Sequence, residues 1–440
     1  MTTLISPYQR VGRDIGVIHF GLGAFHRGHQ AVYFDDALRN GLGEWGSYGI
    51  SPRSASVTDI LRKQQFLYTV NARQGEQQDP RVIGSIFSGS VFDIDNPELN
   101  SALISPELKL ITITVTEKAY VSGIEGASMP NRILNMLTIR YRAGLHAPTL
   151  ISCDNLPENG AFLHKVLMES AIERHLDPDF QRWISNLQVP NSMVDRIVPA
   201  ITPQAIARFE EDFGYRDESL ISTEPFRQWV VAPHHANYNL EEIGVEIADD
   251  VAGYERLKLR LFNGAHSSTA YFSQLSNLEY VYQAMQIPEW EIFIAGLQVQ
   301  LASSFNAPLS VDISRYAQTA RQRISNSAVA HRSAQIAMDG SAKLPQRLFQ
   351  AMNALAIANQ PRERLAFAIA LWLRFLQSEL TLVDPFADVL RERARSSDPV
   401  AQVMQTSGLR DAVVESQWPL IRDYLHELEK HQPIDVAAKF

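Results

Sequence analysis

The sequence has little of what several large classes of protein depend on. It contains one cysteine, Cys153, in 440 residues, which excludes an internal disulfide and is typical of a reducing compartment. The formal net charge is -9 and no run of lysine and arginine is present, so no basic stripe for nucleic acid is expected. The most apolar run, residues 365–373, is far shorter than the ~20 residues that a membrane helix needs.

Several catalytic motifs are also absent. The sequence has no His-Glu-x-x-His or paired-cysteine pattern, no phosphate loop ending in Gly-Lys-Ser/Thr and no Gly-x-Ser-x-Gly nucleophile turn. The opening residues MTTLISPYQR lack the basic-then-apolar order of a secretory signal. We therefore expect a soluble, cytoplasmic protein with no metal site, whose partners are small molecules rather than nucleic acid or membrane.

The apolar pattern predicts two domains of different class. The amino-terminal half alternates short β-rich runs with helical spacing, which is typical of a mostly parallel sheet covered by helices. The expected strands are residues 14–20, 44–50, 108–116 and 147–155. From about residue 250 the spacing is helical, most clearly at residues 286–306, 346–358 and 363–379. We predict an α/β domain over 1–249 and a mostly α-helical domain over 250–440, with a hinge in the polar, acidic segment 234–250.

The stretch GLGAFHRGHQ, residues 21–30, follows the first predicted strand. Gly21 and Gly23 permit a tight turn and close approach to a pyrophosphate at the start of the next helix, as in Rossmann-type dinucleotide-binding domains. A third glycine is expected at position 26, where His26 stands instead, so a simple turn is the alternative. Phe25 and Arg27 are predicted to contact the cofactor, although Arg27 is equally explained as a solvated charge.

The second predicted strand is followed by GISPRSAS, residues 49–56. Enzymes that use NAD often place an acidic residue here to hold the ribose 2′-hydroxyl, and this stretch has none. Arg53 is instead suited to a 2′-phosphate, or is an ordinary loop arginine. NAD is the expected cofactor, and NADP stays open.

The stretch KLRLFNGAH, residues 258–266, carries polar groups on a helix that is otherwise apolar. At about 100° per residue from Lys258, Glu255 lies near 60°, His266 near 80° and Asn263 near 140°, which is one face. A lysine among apolar side chains has a lowered pKa and can act as a general base. Oxidising a secondary alcohol needs such a base and a neutral donor for the alkoxide, roles that suit Lys258 and Asn263.

The remaining groups of this face have less specific roles. His266 is predicted to orient a substrate hydroxyl, and Glu255 to relay a proton from Lys258, although an ion pair with that lysine is the alternative for Glu255. SCDNLPENG, residues 152–160, follows a predicted strand and offers Asn155 or Asn159 as a second oxyanion donor, whereas ordinary turn chemistry is the alternative.

These stretches together resemble the polyol-specific long-chain dehydrogenases, the family of mannitol 2-dehydrogenase and mannonate oxidoreductase (fructuronate reductase). The resemblance covers residues 18 to about 350 and lies in GLGAFHRGHQ, TVTEKAY, SCDNLPENG, NSMVDRIVP, EPFRQWVV, KLRLFNGAH and QIAMDGSAKLPQR.

The resemblance implies metal-independent hydride transfer between a nicotinamide and an open-chain sugar derivative. It implies that Lys258 is the acid/base, that Asn263 and Asn155 form the oxyanion site and that His266 contacts substrate. Glu255 would then lie on a proton path. The remaining residues expected at the substrate are Lys343, Asn159 and Gln335, the last at a position where some mannitol-oxidising members carry arginine.

Two substrate pairs stay open, D-mannonate/D-fructuronate and a polyol/ketose pair of mannitol or arabinitol type. The alternative to an enzyme is a dinucleotide-binding sensor or scaffold without turnover. The set Lys258, Asn263 and His266 favours the enzyme, because a binding module has no need of a base beside an amide donor.

Overall fold

The computed structural model describes residues 4–115, 117–120, 128–236, 238–409 and 411–440. Part of the TVTEKAY motif therefore lies outside the described residues. The chain divides into two compact units, Met1–Ala252 and Gly253–Phe440. In the described parts of the chain, no helix is long and apolar enough to cross a membrane.

The first unit is built on a parallel sheet of five strands in the order β5-β2-β1-β6-β7. The strands are β1 Ile15–Phe20, β2 Gly46–Ser51, β5 Ile86–Val91, β6 Leu110–Ile113 and β7 Thr149–Ser152. The predicted parallel sheet is confirmed. The expected strand over 108–116 is shorter than its β-branched run, because the chain turns away at Thr114.

Helices cover both faces of this sheet, which is why its strands read as continuous apolar runs rather than alternating ones. Val17, Ile18 and Phe20 of β1 are fully buried, and they divide between two separate apolar clusters. The helices of this unit are α1 Ala24–Gly28, α2 Gln30–Arg39, α3 Ser56–Lys63, α4 Pro97–Leu103, α5 Met129–Arg142, α6 Asn159–Glu173, α7 Pro178–Ser185 and α8 Pro203–Phe213, with 3₁₀ turns at Glu117–Tyr120 and Glu241–Ile243.

Two small sheets of this unit were not predicted. One has the order β4-β3-β9 and the other β11-β10-β8. Their strands are β3 Tyr68–Gln74, β4 Gln77–Ile83, β8 Ser192–Asp195, β9 Ile221–Thr223, β10 Gln228–Val231 and β11 Glu246–Ile247. The parallel pairing of β11 with β10 ties the end of segment 234–250, predicted as a hinge, into the first unit.

The second unit is helical, as the spacing predicts. Its helices are α9 Val251–Leu257, which begins in the first unit, α10 Ala265–Leu275, α11 Val281–Met285, α12 Pro288–Ala302, α13 Ile313–Ile324, α14 Ser333–Ile336, α15 Gly340–Leu344, α16 Gln350–Ile357, α17 Glu363–Gln377, α18 Ala387–Ala394, α19 Pro399–Met404, α20 Trp418–Lys430 and α21 Pro433–Ala437, with a 3₁₀ turn at Glu415–Gln417. Helix α17 forms the centre, because its apolar run from Leu365 to Leu373 is fully buried.

Candidate active site

The glycine turn lies at the carboxyl end of β1, where the sheet order reverses and open α/β folds bind ligands. Gly21 has a φ of +114°, and a Cβ placed there would lie 1.8 Å from the carbonyl oxygen of Thr114. The end of β1 therefore approaches the end of β6 too closely for any other residue. This is a structural requirement for Gly21 that does not depend on a ligand.

Gly23 opens helix α1 in an extended conformation. The nearest atom to a Cβ placed there is the carbonyl oxygen of Gly21, at 3.6 Å, so the space in front of this residue is open. Such an opening at the start of a helix is suited to a pyrophosphate. Phe25, half-buried two residues further on, stacks on His29 with ring centroids 5.1 Å apart.

The missing third glycine of the fingerprint has a structural explanation. His26 is fully buried and stacks on His19 of β1, with ring centroids 3.4 Å apart. Close packing against a strand is instead provided by Gly28, where a Cβ would lie 3.0 Å from side-chain atoms of both Ile221 and Val198. Gly28 therefore provides the close helix–strand packing that the fingerprint assigns to a glycine at position 26.

Arg27 is turned into the protein. Its Nε donates to the carbonyl oxygen of Gly23 at 3.3 Å and its Nη1 to that of Ser219 at 2.7 Å, and burial lowers the pKa of its guanidinium. The alternative of a solvated charge is wrong, since Arg27 is 7% exposed. These bonds join the glycine turn to the segment before β9, and a contact with a cofactor phosphate stays a prediction.

Arg53 follows β2 and is exposed. A second arginine, Arg132 of α5, donates through Nη1 to the carbonyl oxygen of Pro52 at 2.5 Å and lies over the ring of Phe92. Burial, and then the charge of Arg53, lowers the pKa of Arg132. Sequence reasoning missed Arg132 because it is distant in sequence from Arg53.

The two asparagines of SCDNLPENG have different surroundings. Asn159 is 1% exposed, and its Nδ2 donates to the carbonyl oxygens of Ser152, Asp154 and Ser192, at 3.0, 3.0 and 2.8 Å. Its Oδ1 accepts from the main-chain nitrogen of Ser192 at 2.8 Å. These bonds use the amide of Asn159 to join β7 to β8, and a contact between Asn159 and substrate stays a prediction. Asn155 is exposed at the carboxyl end of β7.

Lys258 begins a π-helix, Lys258–Gly264, between α9 and α10. The regular 100° spacing used for the sequence does not apply across this wide turn, because its hydrogen bonds run to the fifth residue. A second π-helix, Pro345–Phe349, follows α15. The two pack closely, since a Cβ at Gly264 would lie 3.2 Å from the carbonyl oxygen of Arg347. Paired π-turns of this kind are frequent at functional sites.

Three buried polar atoms beside these turns lack a hydrogen-bond partner among the described residues: Oδ1 of Asn263, Nε2 of His266 and Nδ1 of His331. Lys258 and His266 are both 7% exposed. The rings of His266 and His331 have centroids 5.1 Å apart. Buried polar atoms are almost always paired, so three in one neighbourhood indicate a place for a polar ligand.

Cations surround His266. Burial, and then the charges of His331, Arg347, Arg323 and Lys343, lower the pKa of His266 well below its usual value. Arg347 donates to Oγ of Ser267 at 2.8 Å, and burial lowers its own pKa to about 10.

The other two cations are also held in place. The guanidinium of Arg323 lies 3.9 Å from the ring centre of Phe262, next to Asn263 in the chain. Lys343 donates through Nζ to the carbonyl oxygen of Met338 at 2.7 Å. The same Nζ lies 3.9 Å from Oδ2 of Asp339, so Lys343 has a negatively charged partner within the chain.

Each of the two units matches a known domain family. Residues 15–243 match the mannitol dehydrogenase Rossmann domain and residues 250–417 match the mannitol dehydrogenase C-terminal domain. The chain belongs to the mannitol dehydrogenase family. It is therefore an oxidoreductase that acts on CH–OH groups.

Relatives in this family include two enzymes with different activities. D-mannonate oxidoreductase of Escherichia coli is 32% identical over 93% of this chain and 93% of its own length. Mannitol 2-dehydrogenase of Emericella nidulans is 30% identical over 89% of this chain and 86% of its own length. The solved ternary complex of Pseudomonas fluorescens mannitol 2-dehydrogenase with NAD and D-mannitol is 27% identical, with a TM-score of 0.83 over 99% of this chain and 95% of that one.

Within the second unit of this mannitol dehydrogenase family member, Lys258 and Asn263 lie on the wide turn and His266 lies in the first turn of α10, where the charge of Lys343 acts on it. Glu255 is half-buried on α9, one turn before the lysine, and Gln335 is exposed on α14. Sequence reasoning missed His331, Arg323 and Arg347. A single histidine or arginine carries no functional signal of its own in the sequence, although Arg347 ends the QIAMDGSAKLPQR motif. In the described parts of the chain, no cluster of three His, Cys, Asp or Glu could hold a metal ion.

Proposed function

We propose that the protein interconverts the secondary alcohol and ketone of an open-chain sugar acid, of the D-mannonate/D-fructuronate type, with NAD(H) as its cofactor. The observation that carries this proposal is the pair of unpartnered buried atoms at Asn263, on the same wide turn as Lys258, and at His266, in the first turn of α10. The agreement of both units with one dehydrogenase family supports the reaction class.

The first unit fits a dinucleotide. The open space before Gly23 would receive the pyrophosphate, and the exposed end of β2 at Arg53 would receive the adenosine ribose. When bound, the nicotinamide supplies or accepts the hydride. The protein supplies the proton transfer, the charge stabilisation and the orientation of the substrate.

Lys258 is proposed as the general acid/base. In ketone reduction its ammonium donates a proton to the oxygen that becomes the hydroxyl group, and in alcohol oxidation its neutral amine removes that proton. Its burial excludes bulk water, so the transfer takes place between the lysine and the substrate. Glu255, one turn earlier and half-buried, is proposed to return the proton to solvent.

Asn263 is proposed to hold the substrate oxygen while its charge develops. Its amide points an unpartnered atom into the site, and because an amide O and N are interchangeable by a flip, either a donor or an acceptor can be presented. A neutral donor stabilises an alkoxide without titrating. Asn155, exposed after β7, stays the predicted second donor.

The charges around His266 separate the two substrate pairs. Arg347, Arg323 and Lys343 all act on it, and a carboxylate is the natural partner of such a group of cations. Asp339 already lies 3.9 Å from Nζ of Lys343, and a substrate carboxylate would add a second negative charge to this cationic group. We therefore favour the sugar acid over the polyol, in agreement with the resemblance to D-mannonate oxidoreductase.

The test follows the absorbance of NADH and of NADPH with D-fructuronate, D-tagaturonate, D-fructose, D-tagatose and D-xylulose in turn. Consumption with a ketouronate, and a much lower kcat/KM with each ketose, is the expected result. The reverse preference would transfer the proposal to a polyol/ketose pair. No consumption with any substrate, by protein that is folded and binds NADH, would favour a dinucleotide-binding sensor.

A further inference from the structure

We infer that His331 is a substrate-recognition residue, which acts with His266 as a pair of imidazoles that hydrogen-bond the hydroxyl groups of the substrate. This inference rests on the proposed function. Its basis is geometric: the two rings have centroids 5.1 Å apart, at 56° to each other, and each ring has one buried nitrogen with no partner among the described residues.

The main chain holds His331 in place. The carbonyl oxygen of His331 accepts from the nitrogen of Val281 at 3.2 Å, and the nitrogen of Ser333 donates to the carbonyl oxygen of Glu279 at 2.9 Å. Between these bonds, Arg332 forms an isolated β-bridge with Tyr280. The main chain of the loop between α13 and α14 is thus fixed at His331 and at the two residues that follow it.

A pair of imidazoles is chemically suited to hydroxyl groups. Burial, and then the charge of Lys343, lower the pKa of His331 to about 4, and the pKa of His266 is also low, so both rings are neutral near pH 7. A neutral imidazole has one donor and one acceptor nitrogen, which matches a hydroxyl group that both donates and accepts.

The neighbouring cations have a different role. Arg323, Arg347 and Lys343 are suited to the carboxylate end of the proposed substrate. A buried nitrogen without a partner is costly, and a ligand that supplies the partner removes that cost. The imidazole pair would then bind the hydroxylated chain, and the cations its charged end.

The experiment compares His331→Phe, which keeps an aromatic ring without nitrogens, with His331→Asn, which restores a polar atom near Nδ1. His426→Phe is the matched control, because His426 is an exposed histidine of the same unit. For each variant, kcat and KM are measured with NADH and with whichever of D-fructuronate and D-fructose the unaltered protein reduces faster. The NADH dissociation constant and the melting temperature are measured beside them.

We expect His331→Phe to raise KM at least about tenfold, equivalent to about 1.4 kcal/mol, with kcat changed less than about threefold. His331→Asn should recover most of the loss, while NADH binding, the melting temperature and the control stay unchanged. If the two imidazoles only bond each other, His331→Phe will lower the melting temperature and leave KM unchanged. That result would overturn the inference.

A binding measurement separates this inference from the proposed function. Protein labelled with ¹⁵N in its histidine rings is saturated with NADH, and D-mannonate or D-mannitol is added, so that no reaction can occur. The His331 signals, assigned by their absence in His331→Phe, should shift with one of the two compounds. A shift in protein without turnover would support the inference while the proposed reaction fails. No shift with either compound would contradict the inference.

Discussion

Replacing Lys258 with methionine tests the proposed chemistry most directly. The lysine is 7% exposed at the start of the π-helix, and its neighbours Leu257 and Leu261 are fully buried. Methionine has a side chain of similar length and is well tolerated among apolar neighbours. The substitution should therefore remove the proton donor and acceptor without disturbing the packing of the turn.

The expected loss follows from the role. General acid–base catalysis contributes roughly 10²–10⁴ in rate, so removing it should raise the activation barrier by about 2.7–5.4 kcal/mol. Lys258 lies in the second unit, whereas the glycine turn lies in the first. The NADH dissociation constant should therefore change less than about threefold.

The assay measures kcat in both directions across a pH series, together with NADH binding by fluorescence. Alcohol oxidation needs the neutral amine, so its rate should rise with pH, and ketone reduction needs the ammonium, so its rate should fall. Both limbs should disappear in Lys258→Met. Lys430→Met, at an exposed lysine of α20, is the control and should behave as the unaltered protein. A Lys258→Met enzyme that keeps more than about a tenth of the rate, with its pH limbs intact, would refute the assignment.

Three further results are expected in the first unit. Gly21→Ala places a Cβ 1.8 Å from a carbonyl oxygen, so NADH titration should show at least about tenfold weaker binding, and unchanged affinity would contradict the role of this turn. Arg53→Ala should weaken NADPH binding more than NADH binding; equal losses would leave Arg53 without a role in recognition. Burial lowers the pKa of His19 and His29 to about 3 and also lowers the pKa of His26. As the pH falls below about 6.5, these three histidines therefore bind protons in the unfolded chain but not in the folded chain. The free energy of unfolding should then fall by roughly 4 kcal/mol per pH unit, and a flat profile between pH 7 and 5 in urea unfolding would count against this.

The sequence predicts four of the five strands of the main sheet, and burial on both faces leaves nearly uninterrupted apolar runs in β1 and β6. The sequence does not predict β5, because its residues IFSGSV do not form such a run. It does not predict the two small sheets. Strand β11 has two residues, and β8 and β10 have four each, so they are too short for alternation to be visible. Their pairing is also non-local, and only the folded chain brings β10 beside β8.

The shape of the turn Lys258–Gly264 was also not predictable from the sequence. A π-helix has no distinct residue pattern. The helical wheel that grouped Lys258, Asn263 and His266 assumed regular α-helical spacing, which the turn Lys258–Gly264 does not have. The same limit applies to His331 and Arg347, which lie beyond α13 in the chain and reach His266 only through tertiary packing. The sequence identifies residue types that suit the chemistry, but it does not show which side chains lie next to them in the folded chain.

The two amides at Asn159 and Asn263 show what the structure adds. Both residues lie in motifs shared with the family, and both were predicted from the sequence to act at the substrate. The amide of Asn159 has an internal partner for each of its polar atoms, whereas Oδ1 of Asn263 has none among the described residues. An amide whose bonds are already made cannot bind a substrate without breaking them, and one with an open position gains a bond when the substrate arrives. We therefore propose Asn263, rather than Asn159, as the asparagine that binds substrate, and the same criterion of an unpartnered buried atom selects His331.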